Sequence, residues 1–330
     1  MIYIMEYPPY KISDLMLDYV SKITEKVVSL NDFTNFNKMP ELRKQNRINS
    51  IHSSLAIENN SITEDEVKDI IDGHIVIGNK EDIQEVKNAY EAYENISKIN
   101  PYSLDDLKKI HGIMTFLMIN DNGKFRNHGE GVYDGEKCIF MAPSADIVPE
   151  LMQQLFDWIN QSKEKVHPLI LSSIFHYEFL FIHPFSDGNG RMARIWQSSL
   201  LSQWKSIFEY VPIESLIKKY QNEYYAVINN CNVAGNSNEF IEFMLKMIDE
   251  TLDKLLKESQ INKLDNISEI EKKVLEFVEK KVLVSTLDIA EHINKSDRTA
   301  RRIITKLEEY DLITWEGENK NSPNLKYRLK

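Results

Sequence analysis

Twelve consecutive residues, His183-Pro184-Phe185-Ser186-Asp187-Gly188-Asn189-Gly190-Arg191-Met192-Ala193-Arg194, gather a proton acceptor, a carboxylate, two glycines and two arginines. Gly188 and Gly190 flank Asn189, so the backbone can take conformations closed to residues with a Cβ. Successive N–H groups can then point into one concavity, and such a concavity binds anions. Arg191, Arg194, Ile195, Ser198 and Ser199 continue at helical spacing, which puts the concavity at a helix N-terminus, where unpaired N–H groups and the dipole favour negative charge. Arg191 and Arg194 are three apart and share a face. Two guanidinium forks beside such a nest suit a di- or triphosphate better than one carboxylate. Asp187 at the rim offers a hard oxygen to a magnesium ion that also takes phosphate oxygens. His183 is the one side chain of the loop able to accept a proton near neutral pH. The bland alternative is a structural corner, with Asp187 an N-cap and the arginines solvated.

The stretch resembles the signature of the Fic family, HPFx[D/E]GN[G/K]RxxR, at every defining position, and His176, Phe179 and Ile182 ahead of it are similar to the family's lead-in helix. The resemblance implies a mainly α fold, a Fic-type helical core with a small β-hairpin flap. It also implies transfer of AMP from ATP, with Mg2+, to a Tyr, Thr or Ser hydroxyl of a target protein. By the same resemblance His183 is the general base and Asp187 the magnesium ligand. Gly188, Asn189 and Gly190 form the anion hole, and Arg191 and Arg194 hold phosphates, Arg194 the γ-phosphate.

A second motif lies upstream. Ser54-Leu55-Ala56-Ile57-Glu58-Asn59 ends a helical run over 43–59, with Ser54 and Glu58 one turn apart on one face. An anion near a helix C-terminus is mildly unfavourable and invites a cationic partner, although a solvated glutamate is the plain alternative. The stretch resembles the inhibitory motif [S/T]xxxE[G/N] of the Fic subgroup whose regulator helix is N-terminal to the core. There the glutamate pairs with the second signature arginine, here Arg194. Two rivals to an AMP transferase stay open: a hydrolase that removes AMP and uses Glu58 to orient water, and a nucleotide-sensing DNA-binding regulator.

The elements that must carry these residues read as helices, at 13–30, 43–59, from the capping box Thr63-Glu64-Asp65-Glu66, at 81–99, 105–119, 149–160 and 168–182. His111, in the fifth of these, reads as a packed or surface histidine. Asp134-Gly135 is a two-residue hairpin signal between Gly131-Val132-Tyr133 and Lys137-Cys138-Ile139-Phe140-Met141. Exposed Ile139, Phe140 and Met141 are odd on an idle edge strand, and an edge near an active site can dock a substrate segment. The resemblance makes this the flap that clamps the target's side chain. Tyr224, Tyr225 and Asn232 resemble the family's adenine and ribose wall. Phe240 to Leu256 closes the core.

The 330 residues, 42% apolar, are enough for about two domains. The expected division is 1–100 N-terminal helices with the inhibitory helix, 101–256 Fic core, 257–266 linker, and 267–330 a winged helix-turn-helix-like unit. That tail carries +1 against −12 elsewhere. Its basic residues Arg298, Arg301, Arg302 and Lys306 share one helix, which leaves DNA contact and protein docking both open. The net charge of −11 argues against wholesale nucleic-acid binding. No apolar run approaches the ~20 residues of a membrane span, and the N-terminus lacks a secretory pattern. Cys138 and Cys231 give neither a disulfide framework nor zinc spacing. A cytoplasmic protein with no membrane partner is expected, with room for a homodimer.

Overall fold

The computed structural model describes residues 8–34, 40–134, 137–265, 267–310, 312–317 and 325–330. The chain falls into two compact units. One comprises the described residues of Met1–Val27 and Pro40–Leu252, the other those of Val28–Met39 and Asp253–Lys330. No helix among the described residues is long and apolar enough to cross a membrane.

The first unit is helical. α1 (Asp14–Thr34), α2 (Pro40–Ile57), α3 (Glu64–Ile71), α4 (Lys80–Tyr93) and α5 (Leu104–Met114) precede a hairpin of β1 (Gly131–Asp134) and β2 (Lys137–Met141). α6 (Val148–Ser162), α7 (Pro168–Ile182), α8 (Asn189–Trp204), α9 (Ile213–Lys219), α10 (Gln221–Ala234) and α11 (Asn238–Asp265) follow; of α1 and α11 only the parts up to Val27 and Leu252 belong to this unit, the remainder to the second. α7 is the axis of the core. Pro168 opens it at a position where a missing N–H does no harm, and nearly all of its residues are buried. A helix apolar on all sides must be surrounded. The hydroxyls of Ser172 and Ser173 bond back to the Leu169 carbonyl, so these two side chains need no water.

α2 ends in a Schellman turn. Asn59 takes a positive φ of 67°, its N–H bonds to the Ala56 carbonyl, and the Asn60 N–H bonds to the Leu55 carbonyl. Lys218 Nζ reaches the Ala56 carbonyl at 2.5 Å and Gln221 Nε2 the Ile57 carbonyl at 3.1 Å. The carbonyls a helix leaves unpaired at its C-terminus thus find donors, one of them a cation that suits the dipole. The next helix, α3, starts with the expected capping box of Thr63 and Glu66.

In the hairpin Asp134 pairs with Lys137, so Asp134 belongs to the strand and not to the turn, and residues 135–136 lie outside the described residues. Phe140 pairs with Val132 and Cys138 with Tyr133. Ile139 is therefore the additional residue of a bulge.

The second unit holds α12 (Glu269–Lys281), β3 (Val284–Ser285), α13 (Thr286–His292), α14 (Asp297–Glu309), β4 (Ile313–Glu316) and β5 (Lys326–Leu329). Its antiparallel sheet runs in the order β3-β5-β4. Val274, Val278, Ile289, Ile303, Leu307 and Ile313 are central to its core. The short β3 is missing from the sequence reading. Two of the four expected basic residues are spoken for, since Arg301 bonds Asp297 at 2.8 Å and Lys306 bonds Glu271 at 2.8 Å. The stretch 257–266, expected as a linker, is helical as far as Asp265, because α11 continues to there. Polarity was the wrong cue: Lys, Glu and Leu are good helix formers wherever they are solvated.

Candidate active site

The loop between α7 and α8 is shaped by its own side chains. His183 caps α7 in the left-handed region, φ 49° and ψ 60°, an uncommon state for a residue with a Cβ. Gly188 follows at φ 80° as the N-cap of α8, and a Cβ there would stand 3.0 Å from Thr115 Cγ2. Asn189 closes the loop on itself, accepting the Phe185 N–H at 3.0 Å and donating to the Phe185 carbonyl at 2.7 Å. Its contribution is thus to loop shape. Beneath, His111 stacks on Phe185 with centroids 3.6 Å apart. His111 Nδ1 accepts the Gly123 N–H at 2.8 Å, which leaves Nε2 as the donor to the Asp187 carbonyl at 3.0 Å. Burial lowers its pKa to about 4, so the ring stays neutral. His111 is the packed histidine expected from the sequence, but what it packs is the loop that bears His183.

Arg126 binds the loop to the hairpin. It is 2% exposed. Its Nε donates to the His183 carbonyl at 2.7 Å, Nη1 to the His128 carbonyl at 2.8 Å, and Nη2 to the Pro143 carbonyl at 2.6 Å, while its N–H reaches the Pro184 carbonyl. One side chain therefore holds the backbone on both sides of β1 and β2 against His183. The His183 imidazole itself is held below its ordinary pKa by burial, with Glu130 and Glu58 opposing and Arg126 assisting. It is the neutral, proton-accepting form near pH 7.

The two arginines point to different partners. Arg191, 3% exposed, lies between two carboxylates, Glu85 Oε1 on Nη1 at 2.5 Å and Asp187 Oδ2 on Nη2 at 2.7 Å. Glu85 also accepts from Asn60 Nδ2 at 2.7 Å, which links the turn after α2 to the loop. Burial raises the Asp187 carboxyl, but the Arg191 charge and hydrogen bond outweigh it and hold the pKa below the usual value. Arg194 is directed to α2: Nε donates to Ser54 Oγ at 3.0 Å, and Nη2 to the Ser54 carbonyl at 3.0 Å and to Glu58 Oε1 at 2.7 Å. The pair is asymmetric, with the arginine side chain 1% exposed and that of Glu58 34% exposed. Gly190 is what lets it form. A Cβ there would run into the Glu58 carboxylate and come within 3.1 Å of Arg194 Nη1.

A profile of the Fic/DOC family matches residues 101–201. Over 98% of its length the chain superimposes, at 33% identity and a TM-score of 0.75, on 98% of a Fic family protein from Desulfovibrio desulfuricans G20. The chain belongs to the Fic family. Among curated proteins it is 26% identical over 259 residues to the protein adenylyltransferase Fic of Nematostella vectensis, covering 74% of this chain and 57% of that one. It is 27% identical over 219 residues to the protein of the same name from Culex quinquefasciatus, covering 64% and 42%. The chain thus spans about half the length of these relatives. A Fic-domain signaling protein from Bacteroides thetaiotaomicron, at 19% identity and a TM-score of 0.62 over 75% of this chain and 97% of that one, shares the fold.

Within this Fic fold, Ser54, Glu58, Arg194 and the loop from His183 to Gly190 come together as one site. The expected adenine wall divides. Tyr224 is 1% exposed, packed on Phe240 and Phe243, with its hydroxyl on His176 Nε2 at 2.9 Å. It is buried, and its phenol lies close enough to Arg194 and Glu58 for their charges to act on it. Tyr225, 46% exposed, stands near enough to Glu58 and Arg194 for their charges to act on its phenol. Consecutive helix residues point about 100° apart, and here the second of the pair is the one that faces out. Asn232, two turns on, accepts from the Tyr177 hydroxyl at 3.0 Å. Phe140 leans on Phe181 with centroids 5.4 Å apart and Met141 is 61% exposed. The Ile139 side chain lies outside the described residues. Arg126 and Glu85 escaped the sequence reading as site residues. For Arg126 the signal was its place just ahead of the hairpin, and for Glu85 there was none beyond an acidic residue on a polar helix.

Proposed function

We propose that this Fic protein transfers AMP from ATP to a hydroxyl side chain of a target protein and is restrained by Glu58. The observation that carries the reading is the 2.7 Å pair between Glu58 and Arg194, set beside the loop that bears His183. Two curated relatives named protein adenylyltransferase Fic support the reaction class.

His183, neutral, takes the proton of the target hydroxyl. The oxygen attacks the α-phosphorus, a new O–P bond forms, and the bond to the diphosphate breaks. The amides at the start of α8 and Arg194 receive phosphate charge. Catalysis of this kind is mostly positioning and electrostatics. Magnesium, when bound, supplies charge neutralisation on the phosphates. It asks for one or two protein carboxylates, with phosphate oxygens and water completing the shell. Asp187, with its side chain 48% exposed at the loop rim, fits that demand and is the residue that would hold it. While Glu58 occupies Arg194, the guanidinium cannot also fork onto a γ-phosphate, so ATP lies in a pose unfit for attack.

A second reading has one observation in its favour. The Glu58 carboxylate remains one-third exposed, so it can also orient a water for removal of AMP from a modified protein. Incubation of a modified target with wild type and with Glu58→Gly separates the two, because only the hydrolase loses AMP release when Glu58 is removed. The mass of the protein after incubation with ATP and magnesium tests the first reading through self-modification, since a gain of one AMP identifies the reaction class.

A further inference from the structure

Away from the loop, the first half of α2 lines a cavity of about 330 Å3 together with α3, α4 and Tyr210. The volume is at the lower end of the range typical of small-molecule sites, roughly 300–1,000 Å3. Its lining holds three cations, Arg43, Lys44 and Arg47, beside Tyr90 and Tyr210, with Asp72 and Glu94 as the two acids. Lys44 is balanced by Asp72 at 2.5 Å. Arg47 has only a half-exposed Glu94 carboxylate 3.5 Å from its Nε. For Arg43 no ion pair occurs among the described residues.

The guanidinium groups are under-used. Arg47 is 5% exposed and gives Nη1 to the Glu209 carbonyl at 2.9 Å. Its Nε, already facing that Glu94 carboxylate, makes no hydrogen bond, and the Nε of Arg43 one turn earlier is buried without any partner. Buried donors are almost always paired, and an orphan points to an ion or water that belongs there. Both guanidiniums also lie over the Tyr210 ring, at 5.3 and 4.9 Å, which fixes their planes. Two oriented forks with free N–H groups match the several oxygens of a phosphate, and the space beside Tyr90 exceeds what one phosphate fills.

We propose that this cavity is a second anion site, which takes the phosphate group of a small phosphorylated molecule. It is separate from the loop at α8, and it sits on the helix that carries Glu58. Arg47 and Glu58 are eleven residues apart, about 16 Å along that helix. On the reading that Glu58 restrains transfer, an anion that pins the first turns of α2 favours the restrained state.

The test is a calorimetric titration of the full chain with inorganic diphosphate, in the presence of a saturating non-hydrolysable ATP analogue that fills the α8 loop. Wild type should bind the diphosphate. Arg43→Gln should bind it at least tenfold more weakly, and Arg43→Lys, which keeps the charge but not the fork, should fall between. Unchanged melting temperatures would show that the variants are folded. Absence of binding by wild type, or equal binding by wild type and Arg43→Gln, overturns the proposal, the cavity then holding water only. A second readout rests on the Glu58 reading: diphosphate should slow AMP transfer by wild type more than by Arg43→Gln. Its failure alone overturns the link to Glu58, whereas the binding measurement stands independently of whether the protein transfers AMP.

Discussion

Arg194 can serve α2 or a phosphate, and the geometry fixes which it serves in this structure. Its Nε and Nη2 donate to Ser54 and Glu58. The guanidinium is buried, so the bonds are little screened, while the partly exposed carboxylate loses some of its attraction to water. A restraint of about 1.4 kcal/mol is enough for a tenfold effect on transfer. His183 carries a separate prediction. Because burial lowers its pKa, its basic form persists below the ordinary value of 6.5, and the acid limb of a pH–rate profile for transfer should fall below that value. His183→Ala should retain ATP binding yet lose ~10²- to 10⁴-fold in transfer; a mutant with undiminished transfer would sink the assignment. Glu85 is a matter of stability. Glu85→Gln leaves a buried Arg191 with Asp187 as its one carboxylate, which should destabilise the fold by roughly 3 kcal/mol, the low end for a broken buried pair. Urea unfolding measures this, and a change under about 1 kcal/mol would show that Asp187 alone suffices.

At the scale of elements, α2, α7 and α8 bring together residues separated by up to 140 positions. The sequence made much of this legible because both ends carry chemistry in compact motifs: Ser54 with Glu58, and His183 through Arg194. Turn signals were also readable, as at the capping box of Thr63. What could not be read was the outcome of packing. Glu85 stands among other acids on α4, and only the fold sets it against Arg191. Tyr224 and Tyr225 are alike in sequence, and helix phase alone decides that the first is core. His111 shows the same dependence. Its pKa of about 4 means that the unfolded chain takes up a proton on this residue, between pH 6.5 and 4, where the folded one does not. Stability therefore falls as pH drops through that window, by about 2 kcal/mol at pH 5 from this group. His111→Gln, compared with wild type by urea unfolding at pH 7 and pH 5, should lose that part of the drop; an identical drop would mean that His111 is protonated in the folded state.

At the scale of the whole molecule, the second unit adds a basic helix whose charge is partly consumed internally. With Arg301 and Lys306 engaged, Arg298 and Arg302 are the exposed cations left on α14. A phosphate-dominated contact through two charges has a shallow salt dependence, slope about −2 for duplex DNA. The full chain and its Arg298→Glu, Arg302→Glu double variant, titrated with a mixed duplex pool at several salt concentrations, distinguish the two roles of this unit. Salt-dependent binding lost in the variant supports DNA contact through α14, and no salt-dependent binding by the wild type supports docking to protein.

If Glu58 holds a competent transferase in check through Arg194, removing its carboxylate must speed transfer. This is tested most directly by intact-mass spectrometry of wild type and Glu58→Gly after equal incubation with ATP and magnesium. The account predicts a mass gain of one AMP that accumulates at least ~10-fold faster in Glu58→Gly, with ATP affinity equal or higher. Equal rates of AMP gain in the two proteins, or no gain in either, would contradict it.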